Sequence, residues 1–166
     1  GILALKLPCT NGQWLDTTCP ALISQKRLVF DPNSQIRPSD LNGIQYMDSL
    51  QVIYCPWQLK NVTAWPPLLD TIVLEEADSL SFIPPLPQKL KALTITLARC
   101  TLPPLPDSLS LFECYYYHYP SLPSFPSRLQ VIRLEWCDIQ ELPQLPDTLN
   151  VLHVFQCPNL LCCPKL

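Results

Sequence analysis

A chain of 166 residues with an apolar share of 48% is long enough to build a core, and twenty prolines against three glycines amid abundant leucine is not the composition of a disordered linker. A net charge of −3, with acidic and basic residues mixed along the chain, gives no long-range attraction for phosphate backbones, so nucleic acid is not an expected partner. No stretch approaches the roughly eighteen uninterrupted apolar residues of a membrane span, and the first residues lack the basic-then-apolar order of a signal peptide, so the chain is expected to be soluble.

Residues 1–49 hold two loosely spaced units, one carrying Ile2, Leu5 and Leu7 and the next Gln25, Leu28, Phe30 and Asn33. From residue 50 a register sets in. A leading leucine falls at Leu50, Leu69, Leu90, Leu109, Leu129 and Leu149, with successive spacings of 19, 21, 19, 20 and 20. Three residues after each leader stand Ile53, Ile72, Leu93, Phe112, Ile132 and Leu152; five after stand Cys55, Leu74, Ile95, Cys114, Leu134 and Val154. Alternating side chains of an extended segment point to opposite faces, so offsets three and five share one face and offsets two, four and six the other. A unit of about twenty residues cannot bury its apolar face alone. Stacked copies can, which predicts a single domain over 1–166 made of about eight repeats whose short strands form one parallel sheet.

The return segments read Ile83-Pro84-Pro85-Leu86-Pro87, Leu102-Pro103-Pro104-Leu105-Pro106, Leu122-Pro123-Ser124-Phe125-Pro126 and Leu142-Pro143-Gln144-Leu145-Pro146. Proline at every third position fixes φ and removes a donor, so these segments cannot be helical and should run extended, in the manner of polyproline II. A repeat of this length also leaves no room for a helix on the return side.

The pattern L-P-x-L-P-x-x-L-x-x-L-x-V/L, clearest from Leu102 to Val154, resembles the leucine-rich repeats of bacterial effector proteins that Gram-negative pathogens deliver into host cells. The resemblance implies a horseshoe with a parallel concave sheet and an extended convex side. It also implies a protein-binding function and a host-cytoplasmic location. Some members of that family carry a separate ubiquitin-ligase domain with a Cys-x-Asp nucleophile motif, which this sequence does not contain; the chain is then expected to be a non-enzymatic module, with a ligase's substrate-recognition arm or a structural subunit of a larger assembly as alternatives. Where the family places asparagine at offset eight, this chain has Gln58, Ala77, Ala98, Tyr117, Cys137 and Cys157.

Nine cysteines is an odd count, and those assigned to strands lie one repeat apart, so a disulfide scaffold is not expected and a reducing compartment fits better. Cys9 and Cys19 fall outside the register and leave pairing open there, and Asn61-Val62-Thr63 forms a glycosylation sequon. Cys55 and Cys114 read as small core hydrophobes, and Cys137 and Cys157 as weak S–H donors suited to a buried turn. The cluster of His153, Cys157, Cys162 and Cys163 has neither a C-x₂-C spacing nor a common face, so no metal is expected. No cofactor is expected either. Neither His118 nor His153 is placed by the repeat to serve a cysteine nucleophile, and the row Glu75, Glu113 and Glu135 faces outward without an evident cleft.

The outward offsets carry the candidate interaction surface. They are unusually apolar for strands facing water, and aromatic and arginine side chains are the ones binding hot spots use. The candidate partner-binding residues are Tyr54, Trp57, Leu111, Glu113, Tyr115, Tyr116, Val131, Arg133, Glu135, Trp136, Val151, His153 and Phe155. The run of tyrosines from Tyr115 could stack on single-stranded bases, but the flanking glutamates argue against a nucleic-acid groove. Leu160-Leu161-Cys162-Cys163-Pro164-Lys165-Leu166 follows the last strand without a polar cap, which leads us to expect packing of this end against a further domain, a second copy or a partner.

Overall fold

The computed structural model describes residues 26–29, 44–55 and 62–161. The expectations for residues 2–7, for Cys9, Cys19, Trp57 and the sequon asparagine, and for the final run 162–166 lie outside the described residues. Seven strands, β1 (Arg27–Val29), β2 (Val52–Cys55), β3 (Thr71–Leu74), β4 (Ala92–Thr96), β5 (Leu111–Tyr115), β6 (Val131–Glu135) and β7 (Val151–Phe155), form one sheet in sequence order. Every neighbouring pair is parallel, so the chain is a β-solenoid. Helix is confined to the 3₁₀ turns Ile44–Tyr46 and Ala77–Ser79 among the described residues.

The strand register is the one the leucine spacing sets. Offset two aligns as Arg27, Val52, Thr71, Ala92, Leu111, Val131 and Val151 across six pairings, although the spacing is 25 for the first and varies between 19 and 21 for the rest. A one-residue slip would turn every core side chain to solvent, so the variation has to be absorbed outside the strands. From β3 onward each rung enters its strand through a tight turn in which the leading leucine donates to a proline carbonyl three residues earlier, as in Leu90 to Pro87, Leu109 to Pro106, Leu129 to Pro126 and Leu149 to Pro146; Leu50 donates instead to Met47. The hydroxyl one residue before the leader adds a bond between rungs: Ser108 Oγ lies 2.7 Å from the Leu90 carbonyl and Thr148 Oγ1 lies 2.9 Å from that of Leu129.

Strands alternate half-buried outward and buried inward side chains from β2 to β6. The leading leucines and offsets three and five make three apolar rows, closed on the far side by Ile83, Leu86, Leu102, Leu105, Leu142 and Leu145 from the proline-rich returns. These returns are neither helix nor strand, as their prolines require. Phe112 is larger than its row neighbours, and its ring centroid lies 6.3 Å from that of Phe125, which stands where other returns have leucine. β7 departs from the pattern: Leu152 is 39% exposed, whereas Ile132, at the same offset one rung earlier, is 0% exposed. The difference is the missing neighbour, because β6 is covered on both sides and β7 pairs only with β6 among the described residues.

The chain leaves each of β3 to β7 through the left-handed region at offset seven. Glu76, Leu97, Tyr116, Trp136 and Gln156 have φ between 52° and 62°, and none is glycine. Such a conformation costs an L-residue with a Cβ roughly 1–2 kcal/mol, and no β-branched side chain occupies the position. The turn is held by bonds between rungs: the amides of Leu97, Tyr116 and Trp136 donate to the carbonyls of Tyr115, Glu135 and Phe155 in the following strand. It also reverses direction in one residue, sending offset seven outward and offset eight into the core.

Candidate functional site

The outward face of β5 to β7 brings together most of the candidate surface. Leu111 and Val131 are half-buried and Val151 is exposed, and the three lie side by side at offset two. At offset four the column runs Thr94, Glu113, Arg133, His153. The Thr94 hydroxyl donates to Glu113 at 3.0 Å, and the Arg133 guanidinium forms an ion pair with the other oxygen of the same carboxylate. Glu135, one step along at offset six, reaches His153 Nε2 at 3.3 Å. Tyr54 and Glu75 make a separate contact earlier in the sheet, with the Tyr54 hydroxyl donating at 3.1 Å. Burial and the neighbouring carboxylate both push the Tyr54 phenol above its ordinary value. Burial does the same to Tyr115, with the nearby Glu113 and Glu135 adding to it.

Along the strand ends runs an aromatic chain. Tyr116 and Trp136 are parallel within 7° with centroids 6.0 Å apart; Trp136 and Phe155 meet edge to face at 6.1 Å; His153 lies 6.3 Å from Phe155 at an angle of 27°. The Tyr116, Trp136 and Phe155 side chains are 44%, 45% and 47% exposed, although three contacting rings on neighbouring rungs are the kind of area that folding normally hides. Tyr116 and Trp136 project outward because of the left-handed turn, which no feature of composition announces, and Phe155 through the alternation of β7. Sequence reasoning placed these residues on the surface but did not resolve the contacts among them. The ion pair was readable in principle, since Glu113 and Arg133 are opposite charges at one offset of adjacent rungs.

A second polar group, not anticipated as a unit, lies at the next bend: His118 Nδ1 and Asp138 Oδ2 are 3.0 Å apart, and Asn159 donates to the other Asp138 oxygen at 3.5 Å. All three are on the surface. Tyr117 points inward as expected and is 0% exposed, its hydroxyl donating to the Ser121 carbonyl at 3.3 Å. Burial raises its phenol well above the ordinary range.

The cysteines at offset eight, Cys137 buried and Cys157 half-buried, place their thiols against backbone carbonyls. Cys137 Sγ lies 3.4 Å from both the Cys114 and the Glu135 carbonyls, while Cys157 Sγ lies 3.8 Å from that of Leu134 and 3.6 Å from that of Phe155. Each thiol thus addresses the offset-five carbonyl of the preceding rung and the last carbonyl of its own strand. Cys114, at offset five, is fully buried. Among the described residues no group of three His, Cys, Asp or Glu side chains is arranged to hold a metal ion, and no helix is long and apolar enough to cross a membrane. No family model, no curated protein and no solved structure matches the chain.

Proposed function

We propose that the chain is a protein-interaction module of the leucine-rich-repeat type, of the kind pathogens use as effectors, and that it holds a protein partner on the outward face of the sheet. The observation that carries this reading is the exposed chain of Tyr116, Trp136 and Phe155, set beside the apolar row Leu111, Val131 and Val151. Three large rings in mutual contact are already pre-organised, so a partner covering them gains apolar burial while ordering few additional side chains. The polar groups around them support the same use. Arg133 is held by Glu113 and the His153 ring by Glu135, so each side chain has a fixed position from which to meet a group on the partner. The same contacts engage both glutamates and support reading them as positioning groups in a binding face rather than as an acid–base pair.

The test is site-specific photo-crosslinking in cells that express the chain, with the photoreactive residue at Trp136 or, as the control, at Gln144 on the opposite face. A partner captured at Trp136 and not at Gln144 is the expected result, and its affinity should fall at least about 30-fold in Trp136→Ala, the loss of one hot spot of roughly 2 kcal/mol. Capture at Gln144, or binding unchanged by Trp136→Ala and Arg133→Glu in folded protein, overturns the reading.

A further inference from the structure

Three thiols meet inside the solenoid behind the aromatic surface. Cys137 and Cys157 occupy the same offset of adjacent rungs, each two residues beyond the paired residues Glu135 and Phe155. Stacked parallel rungs repeat at about 4.8 Å, which lies inside the roughly 4.4–6.8 Å window of Cα separations that a disulfide spans. The two thiols are also oriented alike: Cys137 Sγ lies 3.4 Å from the carbonyls of Cys114 and Glu135, and Cys157 Sγ lies 3.8 Å and 3.6 Å from those of Leu134 and Phe155, the equivalent positions one rung on. The structure therefore stacks one cysteine directly on the other across adjacent rungs.

We propose that Cys137 and Cys157 are a redox-active dithiol that closes to a disulfide when the protein meets hydrogen peroxide, fastening β7 to β6. Access assigns the order of events. Cys157 is half-buried, whereas Cys137 and Cys114 are 0% exposed, so the oxidant meets Cys157 first. The Cys157 sulfur attacks one peroxide oxygen, the O–O bond breaks, and the products are the Cys157 sulfenic acid and water. The Cys137 sulfur then attacks the Cys157 sulfur, the S–O bond breaks, and the departing hydroxide takes the Cys137 proton to leave a second water. Two thiols lose two electrons and two protons together, and one peroxide becomes two waters.

The surroundings favour Cys137 in the second step. The neighbouring Cys114 thiol holds the Cys137 thiol below its ordinary value, while Cys137 and burial push Cys114 up and burial pushes Cys157 up. Cys137 stands at the same offset one rung from Cys157, where the sulfenic acid forms, and its lowered value favours it as the attacking sulfur. Cys114 stays fully buried, and its carbonyl accepts from the Cys137 thiol.

The experiment is graded hydrogen peroxide treatment of the full chain, followed by blocking of remaining thiols, proteolysis without reductant and mass spectrometry. Loss of 2 Da as the first product, about two mass units for two hydrogens, together with a peptide joining Cys137 to Cys157, is expected. Amide exchange over 151–155 should slow about tenfold or more in the oxidised protein and return on reduction. Cys157→Ser keeps a hydrogen-bond donor in the same place and should abolish the bridge without changing the far-ultraviolet spectrum. Where Cys137→Ser does not fold, the peptide map of the natural protein decides alone. A first bridge between Cys114 and Cys137, a bridge from Cys157 to any other cysteine, or oxidation of Cys157 to the sulfinic acid with Cys137 still alkylatable on denaturation each overturns the proposal.

Discussion

Ile132 and Leu152 stand at the same offset of adjacent rungs, point the same way and pair directly, yet one is 0% and the other 39% exposed. Truncating each to alanine asks whether the neighbour that completes a rung is what stabilises it. Ile132→Ala removes a side chain enclosed by β5, β7 and the proline-rich wall, so the lost transfer energy and the remaining cavity add, and the expected destabilisation is about 2–5 kcal/mol. Leu152→Ala removes a side chain of which three-fifths is shielded. With about 1.5–3 kcal/mol for complete burial, the expected loss is roughly 1–2 kcal/mol, and no enclosed cavity adds to it because the site opens to water. The assay is urea unfolding followed by circular dichroism, with amide exchange read separately for β6 and β7. Ile132→Ala should move the midpoint at constant slope. Leu152→Ala should raise exchange in 151–155 and leave β3 to β5 unchanged, as expected where each rung touches only its neighbours. Equal midpoint shifts for the two variants, or a larger one for Leu152→Ala, would refute the argument that stacking supplies the burial.

Alkaline unfolding tests Tyr117. Its phenol is raised by burial above the unfolded value of about 10, so its contribution to stability is fully present below pH 10 and is lost as pH rises through the folded value, because the unfolded chain releases that proton first. Tyr117→Phe should cost about 1 kcal/mol at pH 7 through the lost bond to Ser121, and should flatten the fall in stability above pH 10; an unchanged alkaline limb counts against the assignment. The left-handed turn is tested at exposed Glu76, where Glu76→Val should destabilise by about 1–2 kcal/mol and Glu76→Gly should lie within about 1 kcal/mol of the natural protein in thermal melts. Thr94→Ala should cost no more than about 1 kcal/mol, since it leaves Glu113 paired with Arg133, and a loss as large as that of Ile132→Ala would contradict the assignment of offset four to the outside.

The strands were legible because their signal is local and repeated. Six leucine leaders and the alternation after them place offset two of each rung, and the pairing Arg27 to Val52 extends the same register to a unit that has no leading leucine. The proline returns were legible for a complementary reason, since Pro103, Pro106, Pro123 and Pro126 exclude a helix whatever the tertiary context. Offset seven was not. Glu76, Leu97, Tyr116, Trp136 and Gln156 share no chemistry, and the turn they make is normally announced by glycine or asparagine; at Leu97, Tyr116 and Trp136 hydrogen bonds to the next rung hold it. The aromatic contacts and the meeting of Cys114, Cys137 and Cys157 depend on that turn. They arise from side chains on different rungs, so they were hidden even where each residue had been placed on the correct side.

That turn also ties the surface to the interior. Trp136 and Cys137 are consecutive, one outward and exposed, the other inward and fully buried, and exposed Gln156 and half-buried Cys157 hold the same offsets one rung on. The amide of Trp136 donates to the carbonyl of Phe155, and the thiol of Cys157 lies against that same carbonyl. A single peptide group therefore joins the edge-to-face pair Trp136 and Phe155 to the sulfur pair beneath it. The rung spacing already suits a disulfide, so closing the proposed bridge turns the two cysteine side chains and leaves the strands in register. Trp136 is one residue from Cys137 and bonded to the Phe155 carbonyl, so tryptophan fluorescence of the oxidised and reduced protein reads any change in its packing on Phe155.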